Sequence, residues 1–345
     1  MKKILVVQTG FLGDVILSSP VYRNLKEIFP GSSTTVLTTP LATQLVEKDP
    51  DVDRVQAFDK RGEDSGFSGL LRMAKKLRVQ KFDIVFSLHK SSRTSLLLKL
   101  AGIPLRYGFS EAALSFLYTS TFPRKDLEHD VLRNLAIFRN VGIEPKELKQ
   151  EMRIGYSPEW LQEAKEVLDP ISSKPLVGIA PGSVWETKKW SSEGFAKVAS
   201  ELQKEGFSVV LIGGPADKDS ASIIMDESED SPLDLVGKTS IGVSATIVSK
   251  LKLLITNDSA PLHMASAGNV PVVALFCATV PSFGYGPWKV PHLNLGIDSL
   301  ECRPCGRHGG NSCPVGTFDC RNLITPEMVI AASKRVMEEA SVSAA

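Results

Sequence analysis

The chain predicts a doubly wound α/β fold built as two parallel-sheet domains in tandem. Apolar β-rich runs alternate with loops and amphipathic helical segments, the signature of parallel α/β layers. Its 345 residues suffice for two domains. A polar, proline-marked stretch from Glu144 to Pro175 divides the alternation into two series.

In the first series Ile4 to Gln8 is an apolar run, followed by a turn containing Gly10 and Gly13 and by a helix expected from about Asp14 to Phe29, ahead of Pro30 and Gly31. Further buried strands are expected at Thr34 to Thr38, Arg54 to Phe58 and Asp83 to Leu88, with helices over Phe67 to Val79, Thr94 to Leu100 and Glu128 to Asn140. The dividing stretch carries one helix, Pro158 to Leu168. The second series has strands at Leu176 to Ala180, Ser208 to Ile212, Leu251 to Thr256 and Val272 to Phe276, then an irregular segment rich in Pro, Gly and Cys, and a last helix over Pro326 to Glu339. The reading is two Rossmann-like domains, residues 1–155 and 156–325, with a C-terminal helix in 326–345. Ligands of such sheets bind beyond the carboxyl ends of the strands, so the loops after strands are where chemistry is expected.

Composition excludes several classes. Hydrophobic residues are 43% and charged residues 23% of the chain, values that do not fit a disordered, coiled-coil or collagen-like chain. No apolar run reaches the roughly 18 residues of a membrane span, and Ile4 to Val7 after two lysines is too short for a signal peptide, so a cytoplasmic protein is expected. The net charge of +1 hides an asymmetry: residues 1–155 hold 24 Lys and Arg against 17 Asp and Glu, a surplus of 7, and the rest is acidic by 6. A basic first half suits an anionic partner such as a phosphorylated glycolipid or a membrane surface; scattered solvated cations are the alternative. Nothing points to nucleic acid.

Three loops after strands stand out. Gln8-Thr9-Gly10-Phe11-Leu12-Gly13-Asp14 lacks the G-x-G-x-x-G of nicotinamide dinucleotide sites, which argues against a dehydrogenase. Asp14 is expected at the start of the first helix, either as its cap or as a general base kept ionised by the positive helix end. In Pro181-Gly182-Ser183-Val184-Trp185-Glu186-Thr187-Lys188-Lys189-Trp190 two lysines lie among tryptophans, a phosphate-binding arrangement or a loop anchored by a buried Trp190. In Asn257-Asp258-Ser259-Ala260-Pro261-Leu262-His263 a helix is expected to start at Asp258 or Ser259, its free N–H groups forming an anion site to which His263 adds a donor. A fourth loop, Gly213-Gly214-Pro215-Ala216-Asp217-Lys218-Asp219, offers Asp217 or Asp219 to ribose hydroxyls or to helix capping.

Taken in order, T-G-F-L-G-D-V, P-G-S…K-K-W, G-G-P-A-D and T-N-D-S-A-P-L-H-M-A resemble glycosyltransferase family 9, the lipopolysaccharide heptosyltransferases, over nearly the whole chain. The C-terminal Cys segment is similar to the heptosyltransferase II branch. The resemblance implies a GT-B fold that binds acceptor mainly through its first domain and sugar nucleotide mainly through its second. It also implies ADP-L-glycero-D-manno-heptose as donor, an inner-core acceptor (heptosylated Kdo-lipid A) met at the inner face of the inner membrane, and an inverting reaction without a catalytic metal. Carried over, Asp14 matches the base and Lys188 a donor-phosphate lysine. Asp258, Ser259, Ala260 and His263 match the D-[ST]-G-x-x-H donor loop, with Ala260 where the pattern has Gly. Ser183, Thr187 and Asp217 complete the donor set. Gly13, Arg61, Lys90 and Arg93, with Arg106 and Arg133, are the acceptor candidates. The alternatives are a GT-B transferase or epimerase using another nucleotide sugar, and a non-catalytic nucleotide-binding protein.

Four of the five cysteines, Cys302, Cys305, Cys313 and Cys320, follow C-x2-C-x7-C-x6-C. That spacing suits a structural zinc, or iron, site; reduced thiols and disulfides are the other readings. Cys277 is expected to be a buried strand residue.

Overall fold

The computed structural model describes residues 1–343. The chain divides into two compact units, Met1–Gly155 and the residues from Tyr156 onward.

The first unit contains β1 (Lys3–Val7), α1 (Leu12–Leu17), α2 (Ser19–Ile28), β2 (Ser33–Thr38), β3 (Arg54–Ala57), α3 (Gly66–Gln80), β4 (Ile84–Ser87), α4 (Ser92–Leu100), β5 (Leu105–Phe109), β6 (Ser120–Phe122) and α5 (Asp130–Leu135). Its six strands run parallel in the order β3-β2-β1-β4-β5-β6. The central strand β1 is apolar and buried on both faces from Ile4 to Val7, as a parallel strand between helical layers must be. On one face Leu5, Val7 and Val85 pack against Leu70, Met73, Ala74 and Leu77 of α3 and Leu97 and Leu98 of α4.

The helix expected from Asp14 to Phe29 is two helices. Pro20 lies in the first turn of α2 and has no N–H to continue the ladder, so the chain breaks at Ser18, whose hydroxyl donates to Val15 O at 2.7 Å. The expected helix 128–140 is likewise shorter: α5 gives way to a 3₁₀ stretch at Ala136–Val141. Strands β5 and β6 were not anticipated.

The second unit contains α6 (Pro158–Leu168), β7 (Leu176–Ala180), α7 (Ser192–Lys204), β8 (Ser208–Leu211), α8 (Lys218–Glu227), β9 (Leu233–Asp234), α9 (Ile241–Val248), β10 (Leu253–Asn257), α10 (Ala260–Ala267), β11 (Val272–Leu275), β12 (His292–Leu295), α11 (Asp319–Asn322) and α12 (Pro326–Ser343). Its parallel order, β12-β11-β10-β7-β8-β9, repeats the first sheet's plan with the end strands β9 and β12 unforeseen. Helix α6 packs on α9, where Trp160 lies so close to Gly242 that an added Cβ would come within 2.5 Å of the indole. No helix among the described residues is long and apolar enough to cross a membrane.

Candidate functional site

The loop after β1 folds back on itself. Gln8 Oε1 accepts from the Gly10 N–H at 3.1 Å, and Asp14 Oδ2 accepts from the Phe11 N–H at 2.9 Å. Phe11 is the N-cap of α1 and Asp14 stands three residues on, so Asp14 is not the cap residue that its position suggested. Gly10 permits the arrangement, since a Cβ there would meet Asp14 Oδ2 at 2.5 Å. The helix end, through the Phe11 N–H, is one part of a larger balance on this carboxyl. Burial first, and the negative charge of Asp130 second, raise its pKa to about 6, against the opposing pull of the Phe11 N–H, Arg124 and Lys90.

Asp130 is itself held. Its carboxylate pairs with Arg124 at 2.6 Å, both side chains buried, and Arg124 lies over the Phe109 ring. Asn134, one turn along α5, donates to Leu17 O at 3.2 Å and so ties α5 to the end of α1. Sequence reading passed over Arg124, Asp130 and Asn134. The spacing of Asp130 and Asn134, four apart on the inward side of a helix, was the available signal of buried polar work.

Cations gather at the carboxyl ends of β1, β3 and β4. Lys60, just past β3, donates through Nζ to Thr9 O at 2.7 Å and to Thr9 Oγ1 at 3.1 Å. Its pKa is lowered by burial and by the like charges of Arg61 and Arg93. His89 is pushed down to about 4 by burial and by Lys60 and Lys90, so it is neutral at pH 7, hydrogen-bonded to Thr94 and Ser91 at 2.9 and 3.2 Å. The mutual depression marks a concentrated positive field, and Lys60 joins Arg61 and Lys90 in it although the sequence had not singled it out. Gly13 lies in α1 beside Asp14. Arg93 is committed elsewhere, donating to the carbonyls of Asp64 and Gly66. Arg106 donates to Leu117 O and Ile103 O and Arg133 to Leu127 O, turn-bracing roles.

In the second unit the loops after β7, β10 and β11 meet. Lys188 Nζ lies 2.6 Å from Asp258 Oδ2, and the Thr279 hydroxyl donates to the same oxygen at 2.7 Å. Asn257, buried and absent from the candidate set, binds both sides of the β7 loop: it accepts from the Trp190 N–H at 3.0 Å and donates to Pro181 O at 2.6 Å. Trp190 is buried, its indole N–H donating to Ile324 O at 2.9 Å, which anchors the loop while Lys188 stays partly exposed. Lys189 turns instead to Glu186 at 3.1 Å. Ser183 is partly exposed in this loop and Thr187 is buried. Ser259 is the N-cap of α10 and Asp258 is not; Ala260 opens the helix and Pro261 follows, so this end offers fewer N–H donors than a helix start without proline. His263 is buried within α10. Asp217 accepts from the Gly214 N–H at 2.8 Å and packs under Gly182, where a Cβ would come within 2.2 Å of its carboxyl.

The Cys-rich segment braces this region. Arg303, nearly inaccessible, donates to Cys277 O and Phe276 O, Cys305 N–H to Ala278 O, and Gly310 and Thr187 exchange two hydrogen bonds of 2.8 and 3.0 Å. The expected metal site is not formed. Among the described residues no group of three or more His, Cys, Asp or Glu is placed to hold a metal, and the thiols are free. Cys320 is drawn into the hydrophobic core with Cys277, while backbone N–H groups of residues 315–318 surround the Cys313 sulfur and lower its pKa.

Comparison with known proteins follows the same lines. The family described as Glycosyltransferase family 9 (heptosyltransferase) matches residues 70–312. The chain is 26% identical over 345 residues to lipopolysaccharide heptosyltransferase 3 of Escherichia coli (strain K12), covering 96% of this chain and 97% of that protein. A family 9 glycosyl transferase structure from Veillonella parvula DSM 2008 superposes with a TM-score of 0.88 at 29% identity, with 98% of each chain covered. The structure of E. coli ADP-heptose lps heptosyltransferase II gives 0.81 at 23% identity, covering 98% of this chain and 99% of that one. With both sheets in the GT-B plan and the family match spanning most of its length, the chain belongs to glycosyltransferase family 9 (heptosyltransferase) and is a glycosyltransferase.

Proposed function

We propose that the protein transfers heptose from ADP-L-glycero-D-manno-heptose to the inner core of lipopolysaccharide, adding the second heptose to the first, with inversion and without a catalytic metal. One observation carries the reading: the first turn of α1, just past β1, holds a partly buried carboxyl with a pKa of about 6 beside a field of cations. That is a base poised near neutral pH next to a place for an anionic acceptor.

In this mechanism residues 1–155 bind the acceptor and residues 156–325 the donor. Asp14 takes the proton of the acceptor hydroxyl as that oxygen attacks the anomeric carbon and ADP leaves from the opposite face. The departing diphosphate gains negative charge, which in this reading Lys188 and the start of α10, with His263, meet. Asp258 holds Lys188 in place through its Oδ2, which also accepts from the Thr279 hydroxyl. Ser183, Thr187, Ser259 and Ala260 line the donor loops, and Asp217 borders them. Lys60, Arg61 and Lys90 contact the acceptor's phosphates or sugar carboxylates, with Gly13 leaving room for it. Arg93 acts indirectly, by holding the loop at Asp64 to Gly66. The acceptor is lipid-borne, so the enzyme works at the inner face of the inner membrane.

Mass spectrometry of truncated core glycolipid after incubation with ADP-heptose tests this. The expected product is heavier by one heptose, inverted at the anomeric carbon, and formed equally in chelator. No gain of mass refutes the assignment of substrates; retention refutes the role of Asp14 as base.

A further inference from the structure

The layer formed by α3, α4 and the 112–118 turn covers one face of the first sheet, and its outer surface is not that of an ordinary solvated layer. The inward side of α3 is Leu70, Met73, Ala74 and Leu77. Its outward side carries Phe67, 64% exposed, Leu71, 44%, and Val79, 73%, interleaved with Arg72, Lys75, Lys76 and Arg78. In the same layer α3 packs on α4 and α4 on the 115–117 turn, where Phe116 is 79% exposed and Leu114 39%.

The charge on this layer has one sign. From Ser65 to Ser110 there are nine Lys and Arg and one acidic residue, Asp83. That carboxylate is occupied by the Lys3 N–H at 2.7 Å, at the start of β1. Of the acidic residues just before the helix, Asp64 has its carboxylate 3.7 Å from Arg72 Nε, and Arg72 Nη2 donates to the backbone carbonyl of Glu63, whose exposed side chain precedes α3. Lys75, Lys76 and Lys99 remain as outward cations beside the apolar residues. Phe67 and Leu71 lie one turn apart on one stripe, flanked by lysines whose stems can lie along apolar material while their ammonium groups stay at a polar boundary.

We propose that this face, Phe67, Leu71, Lys75, Lys76 and Phe116 at its centre, rests on an anionic lipid surface. Exposed aromatic and aliphatic side chains interleaved with a surplus of cations match an interface of acyl chains below negative headgroups; a purely solvated or nucleic-acid-binding surface gains nothing from Phe67 and Phe116. The proposal rests on the reading that the acceptor is lipid-borne and supplies how the enzyme meets it: the basic loops after β1, β3 and β4 are in the same unit as this face, so docking delivers those loops to membrane-anchored acceptors.

The test is flotation of the full chain with vesicles of phosphatidylcholine and phosphatidylglycerol in equal parts, against vesicles of phosphatidylcholine alone, run beside transfer to a deacylated, water-soluble core acceptor. The intact protein should float with the anionic vesicles and lose most of that binding in high salt. Lys75→Ala with Lys76→Ala should weaken it roughly 25-fold at low salt, at about fivefold per charge. Phe67→Ser with Leu71→Ser should weaken it roughly tenfold and leave transfer to the soluble acceptor intact. Val342→Ser, an exposed apolar residue on α12, should float like the intact protein. Equal binding by all variants, or none by the intact protein, overturns the proposal. So does an intact dimer that Phe67→Ser with Leu71→Ser turns into a monomer, since the face would then belong to a second copy. Absence of transfer to the soluble acceptor sinks the heptosyl reading and leaves the vesicle result to stand by itself.

Discussion

Replacing Asp14 by Asn should cost the enzyme its turnover and make its first unit more stable, and the two effects should share one pH dependence. The raised pKa means that the folded state holds the carboxyl proton up to about pH 6 while the unfolded chain releases it near 3.8. Between those values the folded state binds the extra proton, so stability falls as pH rises through the window and stays lower above it. The full difference is about 3 kcal/mol at 1.36 kcal/mol per pH unit, an upper value because the side chain is partly exposed. Asn preserves the shape and an oxygen for the Phe11 N–H while removing the ionisation. Melting of wild type and Asp14→Asn should therefore be nearly superimposable at pH 4, diverge between pH 4 and 6, and differ above pH 6 by about 2–4 °C for each kcal/mol in a unit of this size. Over the same range wild-type kcat/KM should rise with an apparent pKa near 6, whereas the variant should show no such limb and be slower by roughly 10² to 10⁴. ADP affinity should not change. A variant with less stability than wild type at pH 8, or with near-normal turnover, refutes the assignment of a burial-strained base.

Gly10→Ala puts a Cβ 2.5 Å from Asp14 Oδ2, so the carboxyl must swing away; kcat should drop at least roughly tenfold with little change in donor KM, measured by ADP release. Lys188→Met leaves the Asp258 carboxylate buried with only Thr279, which should cost about 3–5 kcal/mol in denaturant unfolding and weaken ADP binding. Adding Asp258→Asn should restore much of the stability and none of the transfer, and a double variant with normal transfer would remove Lys188 from the donor site.

Which parts of this could be read before folding follows from the range of the interactions concerned. Strands β1, β7 and β11 are buried on both faces, so they stand as nearly unbroken apolar runs. Strands β5, β9 and β12 mix polar residues into short, partly exposed segments and carry no comparable period. The break before α2 was written in Pro20, yet the apolar periodicity running across it suggested one helix. Asp14, Lys188 and Asp258 could be selected because each sits in the loop or first helical turn that follows a strand, a local property. Arg124 with Asp130, Asn134 reaching Leu17, and Asn257 clamping Pro181 to Trp190 depend on partners that only the folded chain brings close. The same holds for the cysteines: their spacing is that of a metal knuckle, but Cys320 faces a core that only the second sheet and α12 create.

The reciprocal clasp between Thr187 and Gly310 couples the thiol-bearing stretch mechanically to Lys188. A connection on the surface usually absorbs added or lost residues, but this one is pinned at Arg303 and again at Gly310. A one-residue insertion between those pins would shift Lys188 away from Asp258, so chimaeras of related transferases should keep residues 303–310 together with the loop they grip.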